Sequence, residues 1–234
     1  MTDDDLPQRV DAELAAWSYS IAHDLRSPLR AISGFSQMLA EDYGDKLDED
    51  GLEYLQRVRA AAERMEQLIE DFRKLGQVSR GEVRRVTVDL SAMAEEIAGA
   101  LRERNPERAV EFRIEPGLTV EGDPALLQLA LESLFANSWK FTSRHPTARI
   151  EMGRQEHGGD RVLFIRDDGA GFDPAYGDKL FIPFQRLHGQ AEFEGVGIGL
   201  ALVRRIVHRH RGRVWAEGAV EQGATIYILL ESRT

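Results

Sequence analysis

Residues 55–75 read LQRVRAAAERMEQLIEDFRKL, and apolar side chains recur in this stretch at steps of three and four residues. The series is Leu55, Val58, Ala62, Met65, Ile69, Phe72 and Leu75. This heptad pattern is typical of a long helix whose apolar seam packs against another helix. The stretch therefore predicts a helix with coiled-coil character.

A second helical stripe precedes this one, formed by Leu14, Trp17, Ile21, Leu25, Ile32, Phe35 and Leu39. The connecting residues 41–51, EDYGDKLDEDG, are rich in acids and contain Gly44, which favours a turn and an antiparallel hairpin. Two seams this long cannot be buried fully against each other, so we expect a homodimer with a four-helix bundle. The alternative is a monomeric hairpin that packs on the rest of the chain.

Beyond the linker GQVSRGEVRR the pattern changes to short alternating segments, which predict strands. They are RVTVDL, AVEFRIE, RIEMGRQ, RVLFIRDD, GRVWAEG and ATIYILL. Helices are expected between them at 91–104, 123–141 and 199–210, with Ser91 and Asp123 as N-caps. The fold class is thus α + α/β: a helical hairpin over residues 1–80, then an α/β sandwich over 85–234 with its sheet covered on one face.

Composition narrows the function classes. The 234 residues carry a net charge of -10, which disfavours nucleic acid as a partner. No apolar run approaches the roughly 20 residues of a membrane span, and the start MTDDDL does not resemble a signal peptide. Cysteine is absent, which excludes thiol catalysis and agrees with a cytoplasmic location.

One histidine in the first helical stripe is a candidate nucleophile. At about 100° per residue, His23 lies roughly opposite Ile21, so its ring is expected to face solvent. Asp24 beside it can orient the imidazole or take its proton, and Pro28 tends to bend the helix one turn later. Taken alone, the pair also fits an idle surface histidine.

The helical stretch LESLFANSWKFTSR (131–144) carries polar candidates. Asn137 and Lys140 lie one turn apart on a common polar face of a helix that otherwise buries Leu131, Leu134 and Phe135. An amide oxygen suits Mg²⁺ and an ammonium suits phosphate, so the pair fits a metal-bound triphosphate. An ordinary solvated pair is the alternative.

Two further segments fit a flat base. In FIRDDGAGFD (164–173), Asp167 ends an apolar strand, while Gly169 and Gly171 allow a tight turn and the close approach of a ring. Asp167 can accept a hydrogen bond from the exocyclic amine of adenine. In EQGATIYILL (221–230), the Thr225 hydroxyl is a candidate partner of the base or of Asp167. Any strand followed by an Asp/Gly turn is the alternative.

The segment FEGVGIGLALVRRIVHRH (193–210) places Gly195, Gly197 and Gly199 directly before a helix. Several backbone N–H groups and the positive end of the helix dipole then face one place, which suits phosphate oxygens. The basic residues near the end of this helix are interpreted as a solvated face.

Together these segments resemble the motifs of sensor histidine kinases, most closely those that follow PAS or phytochrome-like sensors. HDLRSPL is similar to the H box, ANSWKF to the N box, DDGAG to the first glycine box, LFIPFQRL to the F box, GVGIGL to the second glycine box and QGAT to the last. The resemblance covers nearly the whole chain. It implies a phosphotransfer hairpin joined to an ATP-binding sandwich of the gyrase, chaperone and kinase type.

The resemblance also implies roles and partners. His23 attacks the γ-phosphate of ATP with Asp24 as its acidic partner, and Asn137 holds Mg²⁺. Phe181 and Phe184 pack beneath a lid formed by residues 173–195, Arg186 meets phosphate, and Leu200 belongs to the second glycine box. The implied partners are a response regulator receiver domain, a second copy of the chain, and an upstream sensor domain or protein.

Four positions depart from the usual pattern. Ser133 stands where a second Asn is common, Ser138 where Ala is frequent, Asp168 where Asn is frequent, and Val196 where Thr or Ser is usual. We expect these departures to weaken nucleotide affinity without abolishing it. Two alternatives to a histidine kinase are a dimerising pseudokinase scaffold without turnover, and an ATPase or serine kinase that lacks a phosphohistidine step.

Overall fold

The computed structural model describes residues 5–78, 82–187, 192–193 and 195–230, with side chains from Asp24 onward except that of residue 77. The chain divides into two compact units, Met1–Arg80 and Gly81–Thr234. No helix in the described ranges combines the length and the apolar character needed to cross a membrane.

The first unit is the expected helical hairpin. Helix α1 (Asp5–Tyr43) runs through Pro28, a 3-10 turn (Gly44–Lys46) follows, and α2 (Glu49–Val78) returns along α1. The Asp48 carboxylate accepts a hydrogen bond from the Gly51 N–H at 2.8 Å, which caps the first turn of α2. The acid-rich turn therefore helps to start the second helix.

The core of the hairpin is small and lies on an unexpected face of α1. Leu29 (2% exposed) is buried together with Ala62 and Ile69 of α2. Most of the apolar stripe predicted on α1 is instead exposed where side chains are described, at Leu25, Ile32, Phe35 and Leu39. On α2, Ala62 and Ile69 lie seven residues apart and face α1, whereas Val58 and Met65 are exposed. Each helix of the hairpin thus keeps an uncovered apolar face.

The second unit contains a five-stranded sheet and a two-stranded sheet within the described residues. Its elements are β1 (Val86–Asp89), α3 (Leu90–Arg104), β2 (Ala109–Ile114), β3 (Thr119–Gly122), α4 (Pro124–Phe141), β4 (Thr147–His157), β5 (Asp160–Asp167), a 3-10 segment (Pro174–Phe181), α5 (Gly199–Arg209), β6 (Arg213–Gly218) and β7 (Ala224–Leu229). The large sheet has the order β2-β4-β5-β7-β6, with β2 and β4 parallel and the other pairs antiparallel. Strands β1 and β3 pair antiparallel.

The helices pack on one face of the large sheet, as predicted. Residues of α3, α4 and α5 such as Leu90, Leu131 and Val207 enclose a void of about 20 Å³ together with sheet residues that include Met152 and Ile165. The opposite face carries Val162, Phe164 and Tyr227, packed against Trp215 and Leu229. Alternate residues of β5 therefore point to two different layers.

The six predicted strands are confirmed, and two local predictions are wrong. Strand β3 is not among the predicted strands: its run is bounded by Gly117 and Gly122, and it pairs with β1 some 30 positions earlier. Asp123 caps α4 as expected, accepting from the N–H groups of Ala125 and Leu126. Ser91 is not the cap of α3: the carboxylate of Asp89 accepts from the Ala92 N–H.

The hydroxyl of Ser91 has a different use. It donates to the Glu115 carbonyl at 2.7 Å and accepts from the Leu118 N–H at 2.9 Å. Ser91 therefore ties the start of α3 to the loop that leads into β3.

Candidate functional site

Helix α4 brings the predicted polar pair against the glycine segment. Leu131, Leu134 and Phe135 are buried as expected, which leaves Asn137 and Lys140 on the partly exposed face. A Cβ atom added to Gly199 would lie 3.4 Å from Asn137 Nδ2 and 3.8 Å from Asn137 Oδ1. A Cβ added to Gly195 would lie 3.2 Å from Lys140 Nζ. Because glycine has no side chain, the glycine segment can contact this face of α4.

The phosphate-binding prediction requires positive charge at this place. Burial and the positive charge of Arg186 together lower the pKa of Lys140 to about 8. The Lys140 ammonium also lies 4.3 Å from the ring centroid of Phe141. Lys140 and Arg186 are two positively charged groups that repel each other and lie next to glycine backbone. Such a site is suited to a polyanion.

The glycine segment leads directly into α5, which begins at Gly199 and places Leu200 in its first turn. Ile198 precedes the helix, and in the described chain no side chain caps its N-terminus. The first N–H groups of α5 are therefore available to an anion. The Gly197 carbonyl accepts from the Phe184 N–H at 2.9 Å, which joins this segment to the F box.

Asp167 lies at the end of β5 and is 8% exposed. Its Oδ2 accepts from the Ser138 hydroxyl at 3.0 Å and its Oδ1 from the Gly169 N–H at 3.1 Å. Burial raises the pKa of Asp167 to about 6, against the effect of these donors and of the Ala224 N–H. At neutral pH the group is mainly a carboxylate, which acts only as a hydrogen-bond acceptor.

Two glycines around Asp167 are required by close backbone contacts. Gly171 has φ 61°, and an added Cβ would lie 1.8 Å from the Ala219 carbonyl oxygen. Gly223 has φ 83°, and an added Cβ would lie 2.0 Å from the Asp167 carbonyl oxygen. Both conformations favour glycine. The loop before β7 is therefore held tightly against the loop that follows Asp167.

Thr225 does not contact Asp167, one of the two partners considered for it. Thr225 is in register with Arg166, and its Oγ1 accepts from Arg166 Nε at 3.2 Å. Because successive strand residues face opposite sides of a sheet, Thr225 points away from the Asp167 side chain. Phe181 is buried and Phe184 is 54% exposed, and the packing of both beneath the lid stays a prediction. Residues 188–191 and 194 of that lid lie outside the described residues.

Ser138, named above only as a departure from the N box pattern, was not among the predicted site residues but contacts Asp167. It follows Leu131, Leu134 and Phe135 at helical spacing, so it continues the buried stripe of α4. A polar residue in an apolar stripe requires a hydrogen-bond partner, and this one contacts Asp167. The break in the stripe was therefore the available signal.

The candidate nucleophile belongs to the other unit. His23 is in α1, but its side chain lies outside the described residues, so its outward orientation stays a prediction. The neighbouring Asp24 is exposed.

Comparison with protein families and curated proteins supports both halves of the chain. Residues 14–81 match the His Kinase A (phospho-acceptor) domain, and residues 122–234 match the Histidine kinase-, DNA gyrase B-, and HSP90-like ATPase family. Cyanobacterial phytochrome A of Nostoc sp. is 31% identical over 95% of this chain and 29% of its own length. The methanogenesis regulatory histidine kinase FilI of Methanothrix harundinacea is 33% identical over 94% of this chain and 25% of its own length. The chain thus spans about a quarter to a third of these relatives.

Solved structures share the fold. Full-length ShkA, crystallised with AMPPNP, aligns with a TM-score of 0.65 at 21% identity, over 91% of this chain and 45% of ShkA. The Acinetobacter baumannii histidine kinase AdeS aligns with a TM-score of 0.58 at 21% identity, over 89% of this chain and 96% of AdeS.

Proposed function

Since this chain belongs to the sensor histidine kinases, we propose that it transfers the γ-phosphoryl group of ATP to His23 and then to an aspartate of a response regulator. One observation carries the proposal. In the second unit, a buried carboxylate, a cationic pair and a glycine segment at a helix N-terminus come together along α4. These are the groups that recognise a base amine and a phosphate chain.

In the proposed complex, Asp167 accepts a hydrogen bond from the 6-amino group of adenine. Lys140, Arg186 and the backbone N–H groups from Gly195 to Leu200 meet the phosphate oxygens. Asn137 would hold Mg²⁺, because its amide oxygen lies beside the glycine segment and Mg²⁺ is commonly held by few protein oxygens plus substrate phosphates. When bound, the metal neutralises charge on the phosphates.

The phosphoryl transfer requires a lone pair and a proton acceptor. A ring nitrogen of His23 forms a bond to the γ-phosphorus while the bond from phosphorus to the β–γ bridging oxygen breaks, and ADP leaves. Asp24 takes the proton of the imidazole. In the second step a carboxylate oxygen of the receiver aspartate bonds to phosphorus while the N–P bond breaks, and Asp24 returns its proton to the departing imidazole. The chain's residues contribute positioning and charge, which is what in-line transfer requires.

We further propose that two hairpins form a four-helix bundle. The support is the apolar surface that each hairpin leaves exposed, above all Ile32, Phe35 and Leu39 on α1 and Met65 on α2. A second copy can cover these faces at helical spacing. Input from an upstream sensor domain or protein would then reach the cytoplasmic catalytic unit by a change in the bundle.

The experiment that tests the kinase activity follows the label from ATP. The full chain is incubated with γ-labelled ATP and Mg²⁺, and we expect a protein label that is stable in alkali and lost in acid. His23→Ala should abolish the label, whereas His208→Ala, which changes an exposed histidine of α5, should retain it. An acid-labile label in His23→Ala would overturn the assignment of the nucleophile. Nucleotide binding without any label would favour the pseudokinase scaffold.

A further inference from the structure

The Ser138–Asp167 hydrogen bond is buried on both sides. Ser138 is 4% exposed and Asp167 is 8% exposed, and their side chains come from segments 29 positions apart in the sequence. Buried hydroxyl groups almost always have a partner, and a hydrogen bond to an ionised partner is about twice as strong as a neutral one. This serine is therefore coupled to the carboxylate that is proposed above to accept from the base.

The carboxylate of Asp167 has almost no unused acceptor capacity. An ionised carboxylate offers about four lone-pair positions. The Ser138 hydroxyl and the N–H groups of Gly169 and Ala224 occupy three of them. One position is left, which matches a single N–H of an exocyclic amine. Of the three donors, Ser138 alone is a side chain, so a substitution can remove it without changing the backbone.

We propose that Ser138 is a positioning residue which holds Asp167 as a hydrogen-bond acceptor, and that it thereby makes the pocket select a 6-amino purine over a 6-oxo purine. The inference rests on the proposed function, because it assumes that Asp167 faces the base. It adds a residue that determines which base is bound.

The selection follows from the protonation state of Asp167. An ionised carboxylate accepts from the 6-amino group of adenine and repels the 6-oxo oxygen of guanine. A protonated carboxyl group donates, and it can bond to the 6-oxo oxygen. An interaction that keeps Asp167 ionised therefore favours adenine. An interaction that protonates Asp167 reduces the difference in affinity between adenine and guanine.

Burial and the neighbouring charges oppose ionisation. Desolvation raises the pKa of Asp167, and the adjacent Asp168 raises it further, whereas the three donors lower it. Asp168 is itself engaged by the Arg149 N–H at 2.8 Å. The guanidinium of Arg149 turns to Glu111 at 3.2 Å, and that of Arg166 turns to Thr225 on the other sheet face. The balance thus depends on neutral donors, among them Ser138.

The test measures nucleotide binding by the full chain as a function of pH. Wild type, Ser138→Ala and the control Ser143→Ala, which changes an exposed serine, are titrated calorimetrically with Mg²⁺ and AMPPNP or its guanine counterpart, from pH 5.5 to 8.5. In wild type and the control, adenine affinity should fall about tenfold per pH unit below pH 6.

In Ser138→Ala the midpoint of this fall should move upward by roughly one pH unit, since a hydrogen bond to a charged group is lost. The preference for adenine should shrink by roughly tenfold near pH 6.5 and recover toward pH 8.5. Ser138→Thr, which keeps the hydroxyl, should restore the wild-type midpoint. An unchanged midpoint, or an equal loss of affinity at every pH, would show that Ser138 is merely structural.

A second measurement needs no nucleotide. The ¹³C shift of the Asp167 carboxyl group, assigned with Asp167→Asn, reports its titration directly in the free protein. We expect the same upward movement in Ser138→Ala, and coincident titrations would refute the coupling. If wild type binds neither nucleotide while the carboxyl titration still moves, the proposed function fails and the Ser138–Asp167 coupling stands.

Discussion

Deprotonation of Lys140 is expected to weaken ATP binding above pH 8. Burial and the charge of Arg186 lower the pKa of this lysine to about 8, whereas an ordinary lysine stays charged well beyond pH 9. The charged form of Lys140 binds phosphate. The affinity for ATP is therefore highest below pH 7 and falls as the pH rises through 8. At pH 9 about one tenth of the lysine is charged in the free protein, which corresponds to roughly tenfold weaker binding.

Calorimetric titration with ATP and Mg²⁺ between pH 7 and 9.5 measures this effect. Phosphate next to Lys140 raises the pKa of the lysine in the complex, so binding near pH 8 should take up about half a proton. The uptake is read from the apparent binding enthalpy in two buffers with different ionisation enthalpies. Lys140→Arg should remove both the loss of affinity and the proton uptake, because a guanidinium stays charged throughout this range.

The matched control is Lys46→Arg, which changes a lysine in the hairpin and should leave the wild-type pH dependence intact. A constant wild-type affinity up to pH 9.5 would refute the placement of Lys140 against phosphate. So would a Lys140→Arg protein whose affinity still falls between pH 8 and 9.

Three further predictions concern stability and assembly. Gly117→Ala places a side chain at positive φ in open space and should lower the free energy of unfolding by about 1–2 kcal/mol, as measured in denaturation experiments. Gly223→Ala adds a collision with the Asp167 carbonyl oxygen and should lower the free energy of unfolding by at least about 4 kcal/mol. An equal loss of stability in Gly117→Ala and Gly223→Ala would contradict the tight loop contact. Phe35→Glu changes a side chain that is 64% exposed, so light scattering should show more monomer with unchanged helix content; an intact dimer would exclude this face. His210 should titrate below the ordinary histidine range by NMR, because burial lowers its pKa while Nδ1 donates to the Ile206 carbonyl and Nε2 accepts from the Asp123 N–H. Its contribution to stability is then lost as the pH falls through 6.5, and titration at or above that pH would contradict this.

Local sequence patterns were sufficient to predict most of the helices and strands. Alternation within six to eight residues identified each strand except β3, whose short run is bounded by Gly117 and Gly122. The spacing of Asn137 and Lys140 on one helix, and the position of three glycines before another, follow from helical geometry alone. The predicted cap at Ser91 failed because an aspartate two positions earlier competes for the same role.

Contacts between distant segments were predicted less well. The Thr225 hydroxyl was a candidate partner of the base or of Asp167. The strand register instead pairs Thr225 with Arg166, and a shift of one residue changes the face of the sheet. Register depends on the pairing of strands that lie about 60 positions apart in the chain, so no local period carries it.

The sequence by itself determined the two-part organisation, the helical and strand periods, and the motif residues, because each of these depends on neighbours within a few positions. Tertiary structure alone decided which face of α1 is covered and which groups surround Asp167. The pKa of that carboxyl group reflects burial beneath α4 and donors from Ser138, Gly169 and Ala224. Since those donors come from three separate elements, the acidity of the base-facing group exists only once the chain has folded.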